Sequence, residues 1–428
     1  MATTKSRKVR NVIIVIVAII AVVLLGALIA WRTSPLSIIN PVKVAFGGEA
    51  QAIDAETYYE ADGSYRHATD DDSLAFYMRH PLFEGDTNMM YSTDDNLSRF
   101  LNAVSGGTLR QFCELDNAMG SQMSKMAPKI VGGDYAEDAV NQTTEALASE
   151  DAKARLIPND PSETKETTPE EEAAISIDAF NYLIDQANAG HIDYISNVYD
   201  DEAVAEDPDK AAVHAVLYHG DADKPLAIVM SGGGFVSVGT YSDGYPYAQK
   251  LHERGYNVAV LVYRTGSQLH TDDQWQRGVE AVDDLAALVS YLQGHSEELN
   301  ISLDDYAVIG SSAGGLMATA FSFESLGKSA TTYNLPRPAI CICNYGLYWD
   351  IAPTEADKGL AVFAIAGADD AFGFGGVVDK ISTLEESLGA DNVNVRIAEH
   401  YRHGSNLADG TIFEGWIDEA MDFWEERR

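Results

Sequence analysis

The sequence predicts an α/β protein whose mostly parallel sheet is covered by helices on both faces. After Gly190, short apolar runs alternate with longer segments of helical periodicity. Fully apolar strands separated by helices are typical of a parallel sheet that is buried on both sides. One of these strands also runs into a glycine-rich turn and then into a helical segment. This succession points to a site at the end of a strand.

Length and composition narrow the classes of protein that are possible. The chain of 428 residues is longer than a usual single domain, and its 46% hydrophobic residues can build a large core. The formal net charge of −37 excludes nucleic-acid binding, because phosphates would be repelled. The three cysteines, Cys113, Cys341 and Cys343, form neither a disulfide framework nor a zinc pattern. We therefore expect no metal and no cofactor.

The N-terminus has the pattern of a membrane anchor. An apolar run from Val12 to Ala30 follows four basic residues, Lys5, Arg7, Lys8 and Arg10. As a helix this run would span about 28 Å, close to the hydrocarbon thickness of a bilayer. The preceding positive charge favours a cytoplasmic N-terminus. We expect residues 12–31 to lie in the lipid bilayer of the cell membrane, as a single pass with the rest of the chain outside. A cleaved signal peptide is the alternative.

Four regions follow from the pattern along the chain. Residues 1–33 are a basic stub and transmembrane signal-anchor, 34–72 a spacer, 73–190 a mainly helical extension packing on the core, and 191–428 the catalytic domain. Within the extension, the charged and proline-containing stretch 149–172 predicts a mobile loop. A helix is predicted from Thr168, with Pro169 at its first position and Glu171 completing a capping box, to Gly190.

The catalytic domain is predicted to alternate strands and helices. The expected strands are Val213–Tyr218, Leu226–Met230, Asn257–Tyr263, Tyr306–Ile309, Ala339–Cys343, Ala361–Ala366 and Val393–Glu399. The expected helices are Tyr247–Arg254, Gln276–Gln293, Ala313–Phe321 and Gly376–Leu388.

The turn after Ile309 has the pattern of a nucleophile elbow. Gly310-Ser311-Ser312-Ala313-Gly314 matches G-x-S-x-G between a strand and a helix, which is the context in which this motif carries meaning. The glycines permit a turn too tight for side chains, and the serine lies at a helix N-terminus that favours developing negative charge. We predict that Ser312 is a nucleophile.

A second glycine-rich turn predicts the donors that stabilise an oxyanion. The strand Leu226–Met230 leads into Ser231-Gly232-Gly233-Gly234. Backbone N–H groups of such a loop face the tetrahedral intermediate, together with the N–H of the residue after the nucleophile. We expect Gly233, Gly234 and Ala313 to form the oxyanion hole.

The acid and the base are sought after the serine, in the order Ser, acid, His. Asp369 and Asp370 follow the strand Ala361–Ala366, and either carboxylate fits. Two histidines, His400 and His403, come later. His400 is expected on the polar face of the last strand, whereas His403 lies beyond it beside Gly404. We therefore predict His403 as the base. A metal bound by the two histidines would lack a third ligand.

From Ile195 to Arg428 the sequence resembles bacterial α/β-hydrolases related to acetyl-xylan and feruloyl esterases. The matching pieces are MSGGGFVSV, GYNVAVLVYR, AVDDLAALVSYL, VIGSSAGGLMA, IAGADDAFG and RHGSNLADGTIFEGWIDEAMDFW. The resemblance implies the α/β-hydrolase fold and places the acid three residues after the glycine, at Asp370. Residues 80–83 and 181–190 are also similar to longer members, which implies packing on the core. Ser231, Ser405 and Asn406 differ from the residues usual in relatives.

The expected function is hydrolysis of short acyl esters, including acetyl groups on carbohydrate, by Ser312, Asp370 and His403. A non-catalytic, surface-anchored scaffold with the same fold is the alternative from another class. A peptidase or an acyltransferase could use the same three residues.

Overall fold

The computed structural model describes residues 53–83, 107–114, 144–162, 164–165, 167–266, 272–348, 350–370 and 372–428. The anchor predicted for residues 12–31 lies outside these ranges. Within them, no helix is both long and apolar enough to cross a bilayer.

A single sheet of nine strands organises the described part of the chain. The strands are β1 (Leu156–Ile157), β2 (Ile192–Ile195), β3 (His214–Tyr218), β4 (Leu226–Met230), β5 (Asn257–Val262), β6 (Ala307–Ser311), β7 (Ile340–Asn344), β8 (Ala361–Gly367) and β9 (Val393–Ala398). Their order across the sheet is β1-β9-β8-β7-β6-β4-β5-β3-β2. Only β2 with β3 and β3 with β5 pair antiparallel among these strands. The prediction of a mostly parallel sheet is confirmed.

The central strands are buried along their whole length. Every residue of β3 through β8 is buried, and valine, isoleucine, leucine and alanine dominate. The strand β9, next to the two-residue edge strand β1, is only half-buried over its first four residues. Continuous apolar strands need helices on both faces, because neither face can meet water.

Helices supply that cover. The described helices are α1 (Leu74–Met78), α2 (Glu150–Arg155), α3 (Pro169–Asn188), α4 (Asp201–Glu206), α5 (Tyr245–Glu253), α6 (Asp272–Gly294), α7 (Ala313–Ser322), α8 (Ile381–Leu388) and α9 (Trp416–Glu425). The chain steps from β4 outward to β5 through α5, and then returns past β4 to β6 through α6. Right-handed crossovers in opposite directions place their helices on opposite faces. Accordingly, α5 packs with α9, whereas α6 packs with α7.

The prediction of a mobile loop over 149–172 is wrong for its first part. Ser149 caps α2 by accepting a hydrogen bond from the Ala152 N–H. Leu156 and Ile157 then add to the sheet as β1, parallel to β9. Arg155 holds this segment with a salt bridge of 2.8 Å to Glu385. The charges in this stretch therefore make long-range contacts that its composition does not reveal.

The predicted cap of α3 is confirmed. The Thr168 hydroxyl accepts from the Glu171 N–H, and the Glu171 carboxylate accepts from the Thr168 N–H. The helix ends at Asn188, two residues before Gly190, which has a φ of +76°. Such a left-handed glycine stops a helix at low steric cost.

Residues 53–83 pack on α3 and on the segment before α5, in part through aromatic side chains. The Tyr77 ring lies 5.2 Å from Phe180 of α3 and 5.3 Å from Tyr241. The backbone of Ala68 exchanges two hydrogen bonds with the Asn181 side-chain amide, at 2.7 and 3.1 Å. Residues 53–83 form an N-terminal layer, which therefore rests on the helix α3 and on the segment that leads into α5.

Candidate active site

The order of the strands places a topological switch point between β4 and β6. These strands are neighbours, but their following helices, α5 and α7, cover opposite faces of the sheet. At such a switch point the two loops diverge, and ligands bind there in open α/β sheets. The loop after β4 carries the glycine triplet, and the loop after β6 carries Ser312. The two glycine-rich turns identified in the sequence thus meet at one place.

Ser312 lies on a strained turn between β6 and α7. Its φ is +50° and its ψ −118°, a conformation that non-glycine residues rarely adopt. The turn is tight enough to require glycine on both sides. A Cβ on Gly310 would lie 2.2 Å from the Gly314 carbonyl carbon, and one on Gly314 would lie 2.0 Å from the Met230 oxygen. The strain holds the serine side chain above the sheet, at the N-terminus of α7.

Ser312, His403 and Asp370 form a hydrogen-bonded chain. Ser312 Oγ lies 2.9 Å from His403 Nε2, and His403 Nδ1 lies 2.9 Å from Asp370 Oδ2. The Asp370 side chain is fully buried, and its second oxygen accepts from the Phe372 N–H at 2.8 Å. The three groups come from loops after β6, β8 and β9, which end at the same edge of the sheet. The structure therefore brings together the three residues that the sequence selected.

Aromatic rings surround the His403 imidazole. The ring centroids of Phe372, Tyr345 and Phe374 lie 4.4, 4.7 and 5.7 Å from that of His403. The Phe374 ring is nearly parallel to the imidazole, at 13°. These contacts restrict the histidine to an orientation in which it bridges Ser312 and Asp370.

The neighbouring acid and histidine form a separate pair. His400 Nδ1 lies 2.9 Å from Asp369 Oδ2, and the other Asp369 oxygen accepts from the Tyr401 N–H. The prediction that His400 lies on the polar face of the last strand is wrong. Because β9 ends at Ala398, His400 lies beyond the strand. Each histidine therefore has its own carboxylate. Among the described residues, no group of three or more His, Cys, Asp or Glu side chains could hold a metal ion.

The predicted oxyanion residues lie next to the nucleophile. A Cβ on Gly232 would be 3.1 Å from the Ser312 Cβ, so the loop passes directly beside the serine. Gly233 and Gly234 have φ values of +136° and +61°, which favour glycine. Ala313 is the first residue of α7, and the N–H of a first helical residue has no carbonyl partner within its helix.

Three residues at the site were not selected from the sequence. Tyr345 lies against His403, Asn406 bonds to Tyr345, and Asp243 bonds to the loop that carries Gly232. In the sequence, Asn406 stands out only as a departure from relatives. Asp243 lies in Ser242-Asp243-Gly244, which has the composition of an ordinary turn. No local pattern indicated their contacts.

The sheet and the strained elbow define the class of this protein: it is a serine hydrolase with the α/β-hydrolase fold. Residues 217–334 match the model of the BD-FAE family. The matched residues include both glycine-rich turns and Ser312, so this part of the chain is similar to esterase-like α/β-hydrolases. No curated protein matches it.

Several solved structures are similar to the described fold. An α/β-hydrolase enzyme from a Medee basin deep-sea metagenome library is 19% identical, with a TM-score of 0.42, over 55% of this chain and 97% of its own. An acetyl ester-xyloside bifunctional hydrolase from Caldicellulosiruptor lactoaceticus is 20% identical, with a TM-score of 0.42, over 55% and 96%. Carboxyl esterase 2 from the fungus Tuber melanosporum is 16% identical, with a TM-score of 0.41, over 55% and 87%.

Proposed function

We propose that this protein hydrolyses short-chain acyl esters through an acyl-enzyme intermediate. The observation that carries the proposal is the 2.9 Å contact between Ser312 Oγ and His403 Nε2, on a serine held in a strained elbow. A nucleophile within hydrogen-bond reach of a base, which is itself oriented by a third group, is the arrangement that acyl transfer needs.

In the proposed reaction, Ser312 Oγ attacks the ester carbonyl while His403 Nε2 takes the serine proton. The buried Asp370 carboxylate accepts the Nδ1–H of His403, which fixes the tautomer and stabilises the charged imidazolium. His403 then protonates the leaving alcohol. Water, activated by the same histidine, hydrolyses the acyl-enzyme and regenerates the serine.

The backbone N–H groups of Gly233, Gly234 and Ala313 are proposed to bind the oxyanion. The Gly232 N–H donates to Asp243, at 2.9 Å, and Gly233 and Gly234 follow it in the same loop. The N-terminus of α7 adds a favourable partial positive charge at the same place. Donors arranged before the reaction stabilise developing charge without reorganisation.

Short acyl groups are proposed because aromatic side chains confine the space around the base. The resemblance of this sequence to acetyl-xylan and feruloyl esterases supports acetyl groups on carbohydrate as the substrate class. One solved neighbour is described as an acetyl ester-xyloside hydrolase, which agrees with this proposal.

The proposed activity is tested with p-nitrophenyl esters and a fluorophosphonate probe. The wild-type protein should hydrolyse the acetate faster than the octanoate, and the probe should label it. Ser312→Ala should lose labelling and about 10⁶ in kcat, whereas Ser296→Ala, two residues after the end of α6, should retain both. A wild-type protein that neither turns over esters nor reacts with the probe would support the scaffold alternative. Peptide cleavage or acyl transfer without ester hydrolysis would point to the other uses of these residues.

We further propose that residues 12–31 anchor the protein in the cell membrane with the catalytic domain outside. The support is the apolar run from Val12 to Ala30 behind a basic stub. The full chain should fractionate with membranes, and a chain starting near Ser34 should be soluble and active. A mature N-terminus directly after Ala30 would show instead that the segment is a cleaved signal peptide.

A further inference from the structure

A buried carboxylate lies between the two glycine-rich turns of the site. Asp243 is 3% exposed. Its Oδ2 accepts hydrogen bonds from the Gly232 N–H, at 2.9 Å, and from the Ser311 hydroxyl. Its Oδ1 accepts from the Ser242 hydroxyl at 3.3 Å. One carboxylate therefore receives hydrogen bonds from one backbone N–H and two serine hydroxyls.

Two of these donors adjoin residues to which the proposed reaction assigns a role. Gly232 directly precedes Gly233 in the oxyanion loop, and Ser311 directly precedes Ser312 in the elbow. The Gly232 N–H also lies 3.1 Å from Ser311 Oγ, so the three groups form a closed triangle. The oxyanion loop follows β4 and the elbow follows β6. Along the chain, these two loops are separated by the whole of α5, β5 and α6.

The segment that carries Asp243 is itself held from the outside. Residues Thr240–Gly244 form a single π-helical turn, a feature frequent at functional sites. The Tyr241 ring stacks on Phe180 at 5.4 Å and meets Tyr77 edge-on at 5.3 Å. The N-terminal layer and α3 therefore pack directly against the π-helical turn that carries Asp243.

Burying this carboxylate costs free energy, which an apolar side chain with only a packing role would not cost. Burial raises the pKa of Asp243 to about 6, against the opposing effect of the Gly232 N–H and the Ser311 hydroxyl. Its donors are amides and hydroxyls, which orient without neutralising charge. Perturbed carboxylates of this kind cluster at functional sites.

We propose that Asp243 is a positioning residue, which sets the distance between the oxyanion loop and Ser312 by accepting hydrogen bonds from Gly232 and Ser311. This proposal rests on the proposed hydrolytic function. The carboxylate does not touch the substrate. It keeps the Gly233 and Gly234 N–H groups where the oxyanion forms, so that they need not move when the charge develops.

Asp243→Asn tests the proposal, because an amide keeps the shape but offers one acceptor oxygen and one donor nitrogen. With its amide nitrogen toward Gly232 and Ser311, the variant places a donor against their donors; with its oxygen there, it loses the negative charge that strengthens both hydrogen bonds. A misplacement of about 1 Å can cost about 10²-fold in rate. We therefore expect kcat to fall about 10²-fold with KM nearly unchanged. The affinity for a trifluoromethyl ketone, whose adduct with Ser312 carries an oxyanion, should fall by a similar factor.

Two further variants make this test decisive. Asp357→Asn changes an equally buried carboxylate before β8, at the opposite edge of the sheet, and should keep kcat even if it lowers Tm. Ser311→Ala removes one donor but leaves Asp243 in place, and should lower kcat about 10-fold. In the double variant Ser311→Ala with Asp243→Asn, kcat should fall by less than the product of the two single losses, because both substitutions affect the same hydrogen bond between Ser311 and Asp243.

The possible failures are distinguishable. A folded Asp243→Asn protein whose kcat and ketone affinity stay within twofold of wild type would overturn the positioning role while leaving the hydrolase intact. Equal losses in Asp357→Asn and Asp243→Asn would show a general effect of buried carboxylates and would also overturn it. A wild-type protein without ester turnover would refute the proposed function and, with it, this inference.

Discussion

The Tyr345 hydroxyl and Asn406 form a reciprocal pair of hydrogen bonds. Tyr345 donates to Asn406 Oδ1 at 2.9 Å and accepts from the Asn406 N–H at 3.1 Å. Burial raises the pKa of Tyr345 well above its ordinary value, so the phenol keeps the proton that it donates. The Asn406 carbonyl accepts three more hydrogen bonds, from the side chains of Tyr247, Asn344 and Trp416. The loop that carries His403 is therefore tied to the end of β7.

This pair predicts a loss of catalysis without a loss of substrate binding. Tyr345→Phe keeps the ring beside His403 but removes both hydrogen bonds to Asn406. We expect kcat to fall about 10-fold with little change in KM. The free energy of unfolding should fall by about 1–3 kcal/mol, because buried partners are left unsatisfied. Steady-state kinetics and urea unfolding measure the two effects. Asn392→Ala is the control, because the Asn392 side chain only donates to the Leu388 carbonyl at the end of α8. An unchanged kcat in Tyr345→Phe would show that the loop is held in another way.

The two histidines after β9 should behave differently. His403→Ala should lose activity on the scale of a lost base, by on the order of 10⁶ in kcat. His400→Ala should stay within several-fold of wild type, because its ring bonds to the exposed Asp369 and not to the serine. Rates with p-nitrophenyl acetate compare them directly. The reverse ranking would transfer the role of base to His400.

The neighbouring aspartates offer an equally matched comparison. Asp370→Asn should lower kcat by up to about 10⁴, since the amide would orient His403 in the wrong tautomer. Asp369→Asn should cost no more than a few-fold, because its partners are His400 and the Tyr401 N–H. The pH–rate profile of each variant is the measurement. Mild and equal losses in both would mean that the acid lies on another strand end.

A buried histidine predicts that acid weakens the N-terminal layer. His80 is fully buried among aromatic rings, and burial lowers its pKa to about 4 from 6.5. A lowered pKa means that the folded state resists protonation. The neutral His80 side chain therefore makes its full contribution to stability above pH 6.5, and this contribution is lost as the pH falls toward 4. The difference amounts to on the order of 3 kcal/mol.

Thermal unfolding between pH 7 and pH 4 checks this prediction. His80→Phe keeps an aromatic ring in the cluster but removes the titrating group, so its Tm should fall less with acid than that of wild type. His214, the first residue of β3, is the matched comparison, because burial also lowers its pKa to about 4. Identical slopes of Tm against pH in His80→Phe and wild type would contradict the prediction.

Local features of this fold were readable from the sequence because their causes are local. Thr168, Pro169 and Glu171 lie within one turn, and the capping box that they predicted is present. The strand Leu226–Met230 was predicted with its observed bounds, since five apolar residues between turn signals suit a buried strand. The strain at Ser312 is likewise encoded by the flanking glycines, which are the residues that so tight a turn admits.

The contacts that complete the site depend on residues far apart in the chain. His403 is 91 positions from Ser312, and Asp243 is 68 positions from Ser311. No periodicity or spacing encodes which side chains will meet after β4, β6, β8 and β9 have been brought to one edge. The edge strand β1 escaped prediction for the same reason, because its two residues become a strand only by pairing with β9.

The sequence by itself thus determined the class of fold, the elbow and the order in which acid and base follow the serine. The tertiary structure decided which carboxylate serves which histidine, and it placed Asp243 beneath the oxyanion loop. The physical reason is the range of the interactions. Dihedral preferences and apolar periodicity act within a few residues, whereas hydrogen bonds between loops form only where the packed sheet and helices place their partners.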